Sequence, residues 1–491
     1  MRMEDPVGEP PAASSAVARA EAGLKPSMHG FGALLLTVSC LSPGIGVFVV
    51  GSEVIGQVGS GAFLCFVLAA VLGLAMAAVY SELSSAFPGA GGEYTIFGRA
   101  LGRPWSVVAL AINLLGFGFA LPLLGRGAAT YLHAFAPAVP APAVAATLVA
   151  VVTAVSVLNI RVNAWITGVF LAVEIGALTL LAVLGALHPA RSAGAALLHP
   201  LMSVAHGANL TEAVLQAPGV ALIGVATAGA VYAYNGYGSV VFFGEEMHEA
   251  PRQVARVVYL SLAVAVATEL APLGAMLIGA PDLSALVSAE APVPAFIAAR
   301  APAWLASTLS LAVALAIFNT MIAVSLVAGR QLYATGRDRF WPDPVSRFLA
   351  RVHPRLGSPW TATLTMGAAA LLGCFIDKRL LVLVLGNGNV VLYSGLCLAV
   401  FVGRRSGATR HGAYRMPLYP LAPVAALTGL AGMVWFDLHD ADGIKGLAAT
   451  AVAVALGLVY YALVLRKRTA WTYGGALGDE TGGGSGAASG T

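Results

Sequence analysis

Apolar residues in this chain do not alternate with polar ones. They run in long blocks, separated by short segments rich in Arg, Pro and Gly. A helix needs about 20 apolar residues to cross a bilayer. Twelve blocks approach that length: 30–55, 60–84, 104–132, 139–158, 164–187, 218–247, 256–280, 302–332, 359–376, 380–403, 417–437 and 444–465. In hydrocarbon every backbone polar group needs an internal partner, so blocks of this length predict helices. The expected class is an all-α polytopic membrane protein with twelve transmembrane helices. An even number of crossings places both chain ends on one side.

Composition agrees with the pattern. Of 491 residues, 58% are hydrophobic and 10% charged, against about 25% charged in soluble domains. The basic residues then orient the chain. If the N-terminus is inside, the inner segments hold 21 of the 27 Lys and Arg, from Arg2 to Arg468, and the rest of the chain holds 6. That bias places both termini in the cytoplasm and the protein in the plasma or inner membrane. It also accounts for the net charge of +4 without a nucleic-acid partner. The segment 1–29 is expected to be a cytoplasmic tail, since it lacks the apolar core of a signal peptide. The segment 467–491 is expected to be a disordered tail, Gly- and Ser-rich from Gly474 onward.

Cys40, Cys65, Cys374 and Cys397 each sit alone in an apolar run and read as small packing residues. The histidines form no metal-ligand spacing and no nucleotide loop is present, so no cofactor or metal is expected.

Two blocks carry interruptions. In "TVSCLSPGIGVFVVGSEV", Thr37 to Val54, Pro43 removes a donor and Gly44 and Gly46 weaken the helix. In "VYAYNGYGSVVFFGEE", Val231 to Glu246, Gly236 and Gly238 flank Tyr237, while Asn235 and Ser239 compete for backbone bonds. Each alone is compatible with a packing kink. Together they lie five spans apart, and an odd offset reverses orientation, so spans 1–5 and 6–10 can form an inverted repeat. Paired Gly/Pro interruptions at corresponding positions point to a transporter site. Half-helix N-termini offer N–H groups to an anion, and half-helix C-termini offer carbonyls to an ammonium. The solute implied is a small zwitterion. Glu245 and Glu246, near the inner surface, are expected to pair with arginines.

Four stretches resemble the amino acid–polyamine–organocation superfamily of transporters: "GIGVF" from Gly44, "YSELSSAFPGAGGEYTIFGRALG" from Tyr80, "AYNGYGSVVFFGEEMHEAPRQVARVV" in span 6, and Phe318–Leu364 around span 8. The resemblance covers about residues 30–465. It implies the LeuT-type fold, a 5+5 inverted repeat with two peripheral helices. The transporter core would be 30–403 and the peripheral spans 404–466. It also implies secondary transport of an amino acid or related small amine by alternating access. Carried onto this chain, Gly44, Ile45 and Gly46, with Ser42 before them, correspond to the segment that binds a substrate carboxylate. Tyr234, Asn235 and Gly236 correspond to the segment receiving the amino group. Tyr232 and Tyr237 are placed to shape or gate the pocket. The chain departs from the pattern at Pro43 and in span 5, where several relatives carry Lys and this chain has Glu174.

An ionisable residue in the bilayer is a functional candidate by default. Glu174 is expected to carry the coupling proton, to set the charge requirement of the site, or to bond a neighbouring helix. Asn319 and Thr320 lie where related folds hold or replace a coupling ion, with interhelical bonding as the alternative. Glu53 is expected to attract a cationic substrate or pair with Arg126. Glu269 has no assigned role, and Asn387 and Asn389 are read as polar lining or interhelical bonds. The leading reading is a proton-coupled symporter or exchanger acting on a small-molecule substrate in the lipid bilayer. The alternatives are a polyamine or cationic amino acid exchanger, which the scarcity of acidic pocket candidates disfavours, and a channel or solute sensor. A membrane-embedded enzyme is disfavoured because no nucleophile–base set or metal cluster occurs inside the spans.

Overall fold

The structure is a computed structural model. It describes residues 23–132, 139–206, 212–289, 291–376, 381, 387–439 and 441–474. The expectations for 1–22, for most of 377–386 with Lys378 and Arg379, and for the tail beyond Gly474 fall outside the described residues.

Apolar composition makes helices here because water is absent to satisfy an open backbone. Six stretches among the described residues are long and apolar enough to cross a membrane: Gly30–Ala86, Arg103–Leu132, Ile160–Leu187, Ala250–Gly279, Ala303–Arg337 and Gly443–Leu465. Ala141–Ser156 and Leu421–Asp437 are shorter apolar helices.

The first stretch holds two of the expected spans. Helix α1 (Gly30–Leu41) is followed by α2 (Pro43–Ile45), a π-helical stretch Gly46–Gly51 and α3 (Ser52–Val58). The chain turns at Gly59, φ +61°, into α4 (Ala62–Ala86). Gly59 lies so close to the Leu201 carbonyl and the Met202 Cα that no side chain fits there. Then come α5 (Glu93–Ala100), α6 (Arg103–Leu132), α7 (Ala141–Ser156), α8 (Ile160–Leu187) and α9 (Ala193–Leu197). The second half holds α10 (Val220–Ala233), a 3-10 stretch Tyr237–Glu246, α11 (Ala250–Gly279), α12 (Leu283–Val287), α13 (Pro292–Arg300) and α14 (Ala303–Arg337). It continues with α15 (Asp343–Leu349), α16 (Trp360–Gly373), α17 (Gly388–Ser406), α18 (Leu421–Asp437) and α19 (Ala441–Tyr460).

Burial separates centre from periphery. In α14, 78% of the most apolar window is buried, against 17% in the last helix. Helix α14 packs on α6, α7, α8, α16 and α1, while α11 packs on α4, α8 and α1.

The all-α expectation needs one correction. Strands β1 (Met202–His206) and β2 (Glu212–Gln216) form an antiparallel hairpin, pairing Met202 with Gln216. A two-stranded ribbon this short is marginal alone; here β1 packs against the Gly59–Gly61 turn and α12.

A second correction concerns the expected tail. Residues up to Gly474 fold back on the protein, and Trp471 is fully buried. Its Nε1 donates to the Tyr94 hydroxyl at 2.7 Å, and Arg103 donates to its carbonyl at 2.8 Å. Trp and Tyr rings carry large apolar area, and that area lies just ahead of the Gly/Ser-rich stretch that suggested disorder.

The glutamates closing span 6 meet arginines, as expected. Arg330 forks onto both oxygens of Glu246, a pair almost wholly buried, and Arg337 pairs with Glu245. Arg404 grips Glu82 in the same bidentate way, at 2.7 and 2.6 Å. The expected Glu53–Arg126 pair does not form. Glu53 is exposed, and Arg126 donates to the Cys374 carbonyl at 2.7 Å.

Candidate functional site

Both interruptions are present, and they touch. Ser42 adopts a left-handed conformation, φ 54° and ψ 79°, which ends α1. Pro43 then occupies the first position of the next helical half, where its missing N–H is harmless. In span 6, α10 stops at Ala233 and Gly236 turns the chain at φ +125° before the 3-10 stretch. A Cβ on Gly236 would lie 2.8 Å from the Leu41 Cα and 2.9 Å from its nitrogen. The second break is therefore seated against the first, and only glycine permits that approach.

The first break has an internal anion. Glu174, buried on α8, accepts the Gly44 N–H at 2.6 Å and the Ser42 hydroxyl at 3.0 Å through Oε1. A Cβ on Gly44 would come within 2.9 Å of that oxygen. On α11, Glu269 is fully buried with its carboxyl against Gly46, where a Cβ would lie 2.5 Å from the Glu269 Cδ. Neither Glu269 oxygen has a hydrogen-bond partner among the described residues. Carboxyl groups thus press on both Gly44 and Gly46.

The remaining candidates fall into place around these two points. Asn319 Nδ2 donates to Ser39 Oγ at 3.0 Å and ties α14 to α1 just before the break. Thr320 turns its hydroxyl back to the Ala316 carbonyl of its own helix at 3.0 Å. Ile45 is partly buried and packs on the core. Tyr234 is buried, and its ring meets Phe66 edge-on at 5.9 Å. Tyr237 is buried edge-on against Tyr80, also at 5.9 Å. Asn235 Oδ1 accepts the Tyr393 hydroxyl at 2.6 Å. Tyr232 stands apart: it is 36% exposed and lies outside the main cavity. Asn387 faces Gly443, while Asn389 lines the main cavity.

That cavity, of about 220 Å³, opens beside both breaks and is bounded by Cys40 on α1 and by Asn235, Gly236 and Ser239. Its lining also holds Glu93, Asn113 and Tyr393, polar residues that the sequence did not single out. Glu93 Oε1 accepts the Tyr80 hydroxyl at 2.8 Å, and Oε2 accepts the Asn113 amide at 3.1 Å. The signal for Glu93 was within reach, because the motif that follows span 2 contains it. Its partners come from α4 and α6, and nothing local links them to a common cavity.

Comparison with known proteins gives a consistent set of relatives. Residues 30–459 match the family described as amino acid permease. The chain is 29% identical over 344 residues to an uncharacterised transporter of Mycobacterium tuberculosis, covering 68% of this chain and 71% of that protein. It is 25% identical over 419 residues to the branched-chain amino acid permease BcaP of Lactococcus lactis, covering 79% and 86%. It is 22% identical over 473 residues to a methylthioribose transporter of Bacillus subtilis, covering 90% and 94%.

Proposed function

This chain belongs to the amino acid permease family, and on that premise we propose that it carries an amino acid or related small amine across the plasma membrane by alternating access. The proposed frame is the LeuT-type arrangement, with spans 1–5 and 6–10 as inverted repeats, two peripheral spans and both termini cytoplasmic. The observation carrying this reading is the seating of Gly236 on Leu41, which brings two half-helix termini together beside a cavity.

The chemistry follows from which backbone groups the breaks release. The half beginning at Pro43 presents its first N–H groups, a favourable place for an anion. The end of α10 presents carbonyls, a favourable place for an ammonium. A zwitterion bridges both, with its carboxylate toward Ser42, Gly44 and Gly46 and its amino group toward Tyr234, Asn235 and Gly236. The carbon chain then extends into the cavity.

Glu174 makes this site proton-linked. Its carboxylate holds the Gly44 N–H and the Ser42 hydroxyl, the donors a substrate carboxylate needs. Two anions at one helix terminus repel. A proton on Glu174 removes that repulsion, so substrate and proton enter together, and Asn319 steadies α1 beside them. Tyr232 and Tyr237 are proposed to shape the approach to the pocket.

The test is a binding screen of the purified full-length protein, reading melting temperature against the twenty amino acids and common amines at pH 5.5 and 7.5. A ligand that binds the folded state raises apparent stability. Hits are then followed by counterflow in proteoliposomes. Saturable counterflow of one such solute supports transport, and its absence for every solute tried overturns the reading.

A further inference from the structure

The cavity beside the two breaks contains one carboxylate and no Lys, Arg or His among its lining residues. We infer that its substrate ends in a positive charge, an ammonium or guanidinium group, with Glu93 as the counter-ion. This rests on the transport reading of the cavity and narrows it to a substrate class.

Glu93 is 5% exposed, and its two side-chain partners are the neutral Tyr80 hydroxyl and Asn113 amide. A carboxylate offers about four acceptor positions, so it retains capacity for a donor arriving from the cavity. A buried charge met only by neutral dipoles is unfavourable, and pairing it offsets the desolvation. An aliphatic substrate end would instead leave that acceptor capacity unfilled.

The shared cavity sets the direction of the solute. From the end of α10, Asn235 bonds Tyr393, the Tyr393 ring meets the Tyr80 ring at 5.9 Å, and the Tyr80 hydroxyl bonds Glu93. An amino acid whose amino group rests on the α10 carbonyls would point its side chain along this cavity toward Glu93. The stem of such a side chain runs past Ile112, Phe117 and Leu392, an apolar wall suited to methylene groups.

Charge-only pairs test this directly. Counterflow is measured in proteoliposomes with labelled arginine against citrulline, and with lysine against norleucine. The expected result is at least a tenfold lower half-saturation concentration for the charged member of each pair. In Glu93→Gln the arginine-to-citrulline ratio is expected to fall to about one. That ratio is internal to one preparation, so partial loss of folded protein does not move it. If the variant does not fold, the wild-type pairs decide alone. Equal or better handling of citrulline and norleucine by the wild type overturns the inference, as does an unchanged ratio in the variant. Failure of all four solutes while another solute of the screen shows counterflow overturns the inference alone, and failure of every solute in the screen counts against transport itself.

Discussion

The backbone N–H of Gly44 donates to the side chain of Glu174 at 2.6 Å, across 130 residues of sequence. One carboxylate thereby caps the helical half that begins at Pro43, in the place proposed above for the carboxylate of a substrate. Exchanging Glu174 for Gln keeps an acceptor for that N–H and removes both charge and proton. The expected outcome is a flattened dependence of substrate uptake on external pH between 5 and 8. Uptake driven by an imposed pH gradient, measured with wild type and variant side by side, checks it. A wild-type pH profile in the variant would remove Glu174 from coupling.

Gly236 should tolerate no side chain. Its φ of +125° is strained for any L-residue, and a Cβ would lie 2.8 Å from the Leu41 Cα. Backbone strain of this kind costs about 1–3 kcal/mol, before the clash is counted. Gly236→Ala is expected to lower the melting temperature and abolish counterflow. Gly176→Ala, where a Cβ meets nothing within 4 Å, serves as the control and should do neither.

The Arg330–Glu246 pair is nearly devoid of solvent contact. Removing one partner leaves the other charge buried and alone, which costs about 3–5 kcal/mol. Arg330→Ala should therefore be strongly destabilising, read as a lower melting temperature in detergent. The double change Arg330→Met with Glu246→Leu should recover most of the loss, because no isolated charge remains. A double variant as unstable as the single one would contradict this.

Trp471 locks the segment that follows α19 onto α5 and α6. It is fully buried, bonds the Tyr94 hydroxyl, and lies 5.2 Å from the Arg103 guanidinium. Truncating a buried Trp costs about 3–5 kcal/mol. Trp471→Ala should lower the melting temperature and make the bond after Arg468 accessible to protease, detectable as a shortened band.

Asp338 gives this region a pH response. Burial pushes its carboxyl up from 3.8 to about 6, although the Arg337 guanidinium and the Gly474 N–H pull the other way. The folded state then binds the proton more tightly than the unfolded state. The stabilisation is complete below pH 3.8 and is lost as pH rises through about 6. Between pH 7 and pH 5 the wild type should gain stability relative to Asp338→Asn. The difference in melting temperature between the two proteins at those pH values measures it. A difference independent of pH would refute the assignment.

Much of the architecture was legible because the bilayer constrains length and composition so tightly. Runs of apolar residues mark helices wherever the backbone must satisfy itself. Pro43, Gly44 and Gly236 mark breaks because their effect is local. Glu174 stood out as an acid inside an apolar run. The hairpin at Met202–Gln216 was not legible, since two five-residue strands carry little pattern of their own. The docked segment through Trp471 and Tyr473 was obscured by the Gly/Ser-rich residues after it. Glu93 lay in plain view within a motif, but its meaning depends on Tyr80 and Asn113, which approach from other helices.

By itself, the sequence determined that long apolar stretches form helices, where two of them are interrupted, and which acids lie in apolar surroundings, because propensity, length and desolvation act on neighbouring residues. Tertiary structure alone decided that the two failures touch, that Glu174 caps one of them, and that Glu93 rather than any span-embedded acid faces the cavity. Those relations join residues as much as 195 positions apart, as Leu41 and Gly236 are, and only packing sets which of many such pairs comes within a few ångströms.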